Sequence, residues 1–170
     1  DENILIVDKK PNMIVHEDEN EKTNTLINHI KAYLYQKQEY NPNDENSFAP
    51  ALCNRIDRNT GGLLICAKNF ETLQIINEKI KTKEIRKFYK CLVYGYLENK
   101  SDTMHAYLQK NEEQNRVYIS NTKKTGYKEI ITKYKVLKEK NDISLLEVEL
   151  ITGRTHQIRA HFAHIGHPLV

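Results

Sequence analysis

The stretch YKEIITKYKVLKEKNDISLLEVELI, residues 127–151, decides the fold. Tyr127 to Leu137 and Ile143 to Ile151 are two runs rich in β-branched and aromatic residues, separated by a few polar positions, and they read as consecutive strands. So short a join pairs strands antiparallel, because a parallel return needs a crossover of a dozen residues or more. Upstream, Lys87 to Tyr96, Thr103 to Leu108 and Arg116 to Ser120 repeat the pattern with no helical segment between them. A doubly wound parallel fold needs a helix between most strands and is disfavoured. The reading is an α+β fold with a mixed, mostly antiparallel sheet and flanking helices.

The flanks supply the helices. Ile4-Leu5-Ile6-Val7 is a buried-strand run, ended by a turn at Lys9-Lys10-Pro11-Asn12, with a second short strand at Met13 to His16. From Thr25 to about Gln38, Leu26, Ile27, Ile30, Tyr33 and Leu34 recur at helical spacing. The segment from Tyr40 to Pro50 is a loop. Gly62 to Ala67 is a strand leading to Asn69, a good N-cap, and a helix with Phe70, Leu73, Ile76 and Ile80 on one face. After Ile151 comes a Gly153-Arg154 turn, then Thr155 as N-cap of a helix that turns Ile158, Phe162 and Ile165 to the core before Gly166 stops it. His167 to Val170 starts a new extended segment.

The 170 residues suit one domain, here 1–170, with a core that needs no disulfide or metal staple. With 39% apolar and 29% charged residues the chain is globular, and disorder, collagen and coiled coil are excluded. No apolar run reaches the roughly 20 residues that span a bilayer, and Asp1-Glu2-Asn3 lacks the basic-then-apolar order of a secretion signal. A cytoplasmic protein without membrane partners is expected. Cys53, Cys66 and Cys91 match neither a metal knuckle nor a disulfide framework and read as reduced thiols, with reactivity open for Cys53 alone.

The net charge of +3 hides an asymmetry. Residues 1–50 hold 5 basic and 10 acidic side chains, whereas residues 51–170 hold 21 and 13. From Lys79 to Lys90 six cations, including Arg86 and Lys87, surround one anion, with Phe88 and Tyr89 interleaved. Cations beside rings make a nucleic-acid footprint, and a solvated Lys-rich helix end with an edge strand is the alternative.

Three segments bear chemistry. In Asn54-Arg55-Ile56-Asp57-Arg58-Asn59-Thr60-Gly61-Gly62, Asp57 sits between two arginines, as a nucleophile or base does, or as one half of an ion pair bracing a turn. In Lys87 to Val93, Tyr89 faces away from Phe88 and Lys90, either as half-buried packing or toward a site. In Gly153-Arg154-Thr155-His156-Gln157-Ile158-Arg159, a strand-to-helix turn carries Arg154. His156, His161, His164 and His167 cluster near the end, yet no carboxylate or cysteine completes a ligand set and HExxH is absent, so no metal site is assigned. Neither a P-loop nor GxGxxG occurs, so no nucleotide cofactor is assigned.

Together these segments resemble the RluA-type pseudouridine synthases over nearly the whole chain. The family's opening strand, Lys-Pro turn and Val-His pair match Ile4 to Val7, Lys10-Pro11 and Val15-His16. Its H-R-L-D-x-x-T-S-G-L-L segment matches Asn54 to Leu64, with Asn54 in place of His and Gly61 in place of Ser. K-x-Y-x-A-x-V corresponds to Lys87 to Val93, and G-R-T-H-Q-I-R-x-H with a later G-H-P corresponds to Gly153 to His161 and Gly166 to Pro168. The resemblance implies a pseudouridine synthase catalytic domain lacking the family's usual C-terminal remainder, with Asp57 as catalytic carboxylate, Tyr89 packing on the flipped uracil and Arg154 pairing with Asp57. It implies that Arg55 helps displace the base and that Lys87, Arg86 and Thr60 bind the RNA. The implied reaction isomerises uridine without a cofactor or metal, on RNA, ribosomal ahead of transfer RNA, by a monomer. A noncatalytic RNA-binding or chaperone domain that keeps the fold is the alternative.

Overall fold

Among residues 1–111 and 116–170, which the computed structural model describes, eight strands and three helices divide between two units, 1–84 and 85–170. In the first unit, β1 (Ile4–Lys9), β2 (Ala51–Leu52) and β3 (Gly62–Ala67) form a sheet of order β1-β3-β2, antiparallel throughout. The inward residues of β3, Leu64 and Cys66, pack against Leu26, Ile30 and Leu34 of α1 (Leu26–Gln36), the apolar stripe the 3.6-residue period marks.

The short strand expected at Met13 to His16 does not form. The carbonyls of Ile14 and Val15 instead accept the backbone N–H groups of Leu26 and Ile27, at 2.9 and 3.1 Å. These donors open α1 and have no partner inside the helix, so the segment spends its hydrogen bonds there rather than in a ladder. Asn69 caps α2 (Phe70–Lys81) as expected, its side chain accepting from Thr72 N–H at 2.8 Å. The apolar face of α2 is only partly covered: Ile76 is buried, while Phe70 is 60% exposed with its ring edge-on to Phe48.

The second unit holds a five-stranded antiparallel sheet of order β4-β8-β7-β5-β6. Its strands are β4 (Phe88–Tyr94), β5 (Ser101–Asn111), β6 (Arg116–Ser120), β7 (Lys128–Lys140) and β8 (Ile143–Leu150). Every ladder in the described residues is antiparallel, which narrows the expected mixed sheet. One sheet face carries the core, Val93, Met104, Tyr134, Leu146 and Val148, on which Phe162 of α3 (Gln157–His164) is wholly buried. Ile158 joins this core, but Ile165, expected to do so, is 40% exposed just past the helix end.

The start of α3 differs from expectation. His156, not Thr155, holds the N-cap position, in the left-handed region at φ 53°, and its side chain makes no cap. The Gln157 side chain takes over, accepting the Arg154 N–H at 3.0 Å. After Gly166 the chain runs along β4, where Val170 N–H donates to the Leu92 carbonyl and Tyr94 N–H to that of Pro168.

Candidate active site

The loop that carries Asp57 is fastened on two sides. Cys53 N–H continues the β2 ladder by donating to Ile65 at 2.8 Å. The Asn54 amide then pairs with the β3 backbone, donating to the Leu63 carbonyl and accepting from Ile65 N–H at 2.8 Å. Asn54, where the RluA-type pattern has His, thus pins the loop to the sheet. A turn follows, closed by Thr60 N–H donating to the Asp57 carbonyl at 3.0 Å. A Cβ at Gly61 would stand 3.2 Å from Pro11 Cδ, so a larger residue there requires the Pro11 ring to give by a few tenths of an ångström.

Beneath this turn lies Lys9, only 1% exposed. Its ammonium donates to the carbonyls of Lys10, Met13 and Arg58 at 3.1, 2.8 and 2.9 Å, so all three protons are used. Burial lowers its pKa, and the negative charge of Asp57 acts in the opposite sense. Asp57 itself is half-buried and Arg55 exposed. The pKa of His16 is lowered, by burial first and then by the positive charges of Arg55 and Lys31. The matched Val15-His16 pair therefore lies within the field of Arg55.

In the second unit, β4 and β8 bring Lys87, Tyr89 and the Arg154 loop to one end of the sheet. Tyr89 pairs in register with Val148 and packs, half-buried, on the core face, opposite to Phe88. The Lys87 carbonyl accepts Leu150 N–H at 3.0 Å, and its ammonium would stand 2.9 Å from a Cβ at position 153, so Gly153 leaves the space that Lys87 fills. Burial lowers the Lys87 pKa. Arg154, the next residue, is exposed. Arg86 is engaged differently from a simple phosphate ligand: its Nε and Nη2 bind both oxygens of Glu149 at 2.7 and 2.8 Å, and its guanidinium lies 4.7 Å from the Phe88 ring centre.

Arg154 stands on a buried polar network. Gln157, 2% exposed, accepts from Arg154 N–H and the Thr152 hydroxyl, and donates to the Ile131 carbonyl and Thr132 Oγ1. Thr132 Oγ1 also meets His161 Nδ1 at 2.9 Å. Burial pushes the His161 pKa down to about 4, with His164 and His105 adding to the effect. His164 turns to Asn121 and His167 to the Tyr94 carbonyl, so the terminal histidines serve separate contacts. Burial raises all three thiols, Cys66 and Cys91 to about 11.

Sequence patterning does not mark Lys9 or the Gln157–Thr132–His161 network as part of a site. The only signal for Lys9 is a lysine closing an apolar strand just before the Lys10-Pro11 turn.

The sequence profile of the family described as RNA pseudouridylate synthase matches residues 3–164. The chain belongs to this family. The RluA-type motifs therefore rest on a match across the chain. An uncharacterized RNA pseudouridine synthase of Aquifex aeolicus is 34% identical over 177 residues, covering all of this chain and 52% of its own length. The ribosomal large subunit pseudouridine synthase D of Borreliella burgdorferi is 29% identical over 170 residues, covering 51% of its length. The chain thus spans about half the length of these pseudouridine synthase relatives. Human RNA pseudouridylate synthase domain containing 4 shares the α+β fold, with a TM-score of 0.77 at 18% identity over 99% of this chain and 64% of that one.

Proposed function

We propose that this chain isomerises uridine to pseudouridine in RNA, with Asp57 as the catalytic carboxylate. The observation that carries the reading is the half-buried Asp57 on a loop held from below by the saturated ammonium of Lys9 and from the side by Asn54. A carboxylate held before the substrate arrives does not have to be ordered during the reaction.

In this reaction the bond from uracil N1 to the anomeric carbon breaks, the base turns, and a bond from C5 to the same carbon forms. N1 gains a proton and C5 loses one to solvent, so atoms and electrons balance without a co-reactant. Asp57 acts on the ribose, by attacking the anomeric carbon or by taking a ribose proton. Tyr89 offers its ring to the displaced uracil, and Arg154 supplies the charge opposite Asp57. Arg55 aids displacement of the base from its stack, a step that costs a few kcal/mol. Lys87, Thr60 and Arg86 contact the RNA. The large-subunit name of the Borreliella relative supports ribosomal RNA as the substrate class.

The test is tritium release from RNA labelled at uridine C5. The wild-type chain releases tritium and Asp57→Ala does not, with RNA binding retained. Equal release by both proteins overturns the assignment.

A further inference from the structure

The sheet of the second unit has a second face, turned away from Phe162 and the core. It carries a row of lysines on β7: Lys133 and Lys135 alternate outward, and a β-bulge between Val136 and Lys138 absorbs Leu137. Without that extra residue in the count, Lys138 and Lys140 would point to the core. With it, all four lysines share the outer face and all are exposed. β7 lies between β8 and β5, so the row does not protect a sheet edge, the usual reason for lysines on strands.

Two strands away, about 10 Å at the usual spacing, β4 turns Phe88, Leu92 and Tyr94 outward on the same face, 50, 45 and 50% exposed, with Lys90 among them. Between the two rows runs β8, whose outward residues are Ile143, Leu145, Glu147 and Glu149. Lys133 and Lys135 lie opposite Glu149, which Arg86 already binds, and Glu147, whereas Lys138 and Lys140 lie opposite Leu145 and Ile143, not opposite acids. The face therefore has a cationic rail on β7, a β8 stripe that is apolar at Ile143 and Leu145 and acidic at Glu147 and Glu149, and two exposed rings on β4, Tyr94 and Phe88, one face of the latter carrying the Arg86 guanidinium.

We infer that this outer face binds a single-stranded RNA segment, with phosphates along the β7 lysines and bases crossing β8 to stack on Phe88 and Tyr94. Regular cations suit a phosphate backbone, and exposed rings suit unpaired bases, which an acidic protein segment does not present. Tyr89 lies on the other face of β4, so RNA held here is a different stretch from the reacting uridine. The inference builds on the RNA reading above, yet its test needs no turnover.

A fluorescent twelve-nucleotide oligouridine is titrated by anisotropy at several salt concentrations, and a 4-thiouridine version is crosslinked and mapped by mass spectrometry. Replacing Lys133, Lys135, Lys138 and Lys140 together by glutamine is expected to lower the salt slope by about 3, and each single change by about 0.7. Phe88→Ala or Tyr94→Ala weakens binding roughly five- to a hundredfold and leaves the slope unchanged. Crosslinks fall on β4 outward residues in both wild type and Asp57→Ala. Unchanged slopes in the lysine variants, crosslinks away from this face, or equally tight competition by polyglutamate would overturn the inference. If tritium release fails while these binding results hold, only the catalytic reading is lost.

Discussion

Replacing Gln157 by leucine keeps a side chain of comparable size and removes four hydrogen bonds, to Arg154 N–H, the Thr152 hydroxyl, the Ile131 carbonyl and Thr132 Oγ1. The Arg154 N–H, on an exposed residue, loses its partner, and Thr152 still accepts from Ile131 N–H at 2.8 Å. Thr132, fully buried, and the Ile131 carbonyl each lose one partner inside the protein and keep another, His161 Nδ1 at 2.9 Å and Thr152 N–H at 3.4 Å. At about 0.5–1.5 kcal/mol for each of the four lost hydrogen bonds, less the gain from burying an apolar chain, the net loss is about 3 kcal/mol. Thermal unfolding should fall by about 6–12 °C for a chain of this length. Gln157→Glu separates hydrogen bonding from packing: its carboxylate, ionised, faces the Ile131 carbonyl, and burial raises its folded-state pKa above the unfolded value. Its stability relative to wild type is then greatest at low pH and declines as pH rises through that folded value. Urea unfolding between pH 5 and 8 measures both variants. A leucine variant losing under about 1 kcal/mol, or a glutamate variant whose deficit is flat with pH, refutes the role assigned to this network.

Three further outcomes follow from the same contacts. His161, neutral in the fold with a pKa of about 4 against the model-peptide 6.5, contributes stability present above 6.5 and lost as pH falls toward 4. Unfolding by urea should be about 2 kcal/mol easier at pH 5 than at pH 7.5 from this residue, and His161→Gln should flatten that part of the profile. Lys9→Met strands three carbonyls and should destabilise the first unit by about 2–4 kcal/mol, with faster amide exchange at Thr60 and lower tritium release. If exchange at Thr60 is unchanged, Lys9 does not hold the Asp57 loop. Asn69→Ala removes the cap on Thr72 N–H and should cost about 1 kcal/mol in urea unfolding, while Asn69→Asp should cost little.

Local pattern determined much of this protein. The period of α1, the Asn69 cap, the antiparallel run from β4 to β8 and the order of the family motifs all depend on neighbours within a few residues, and each is legible in the chain. What tertiary structure decided depends on partners far apart in sequence. Met13 to His16 alternates like a strand, yet its carbonyls meet the start of α1. Thr155 has the chemistry of a cap, yet Gln157 closes that turn. Phe70 and Ile165 lie on apolar faces that nothing in the described residues fully covers. Lys9 reaches across 49 positions to Arg58, and Thr132 across 29 to His161. The bulge beside Leu137 sets which face Lys138 and Lys140 occupy. A residue's period and capping chemistry are its own, but burial, hydrogen-bond partners and side-chain direction after a bulge arise only once distant segments compete for the same space.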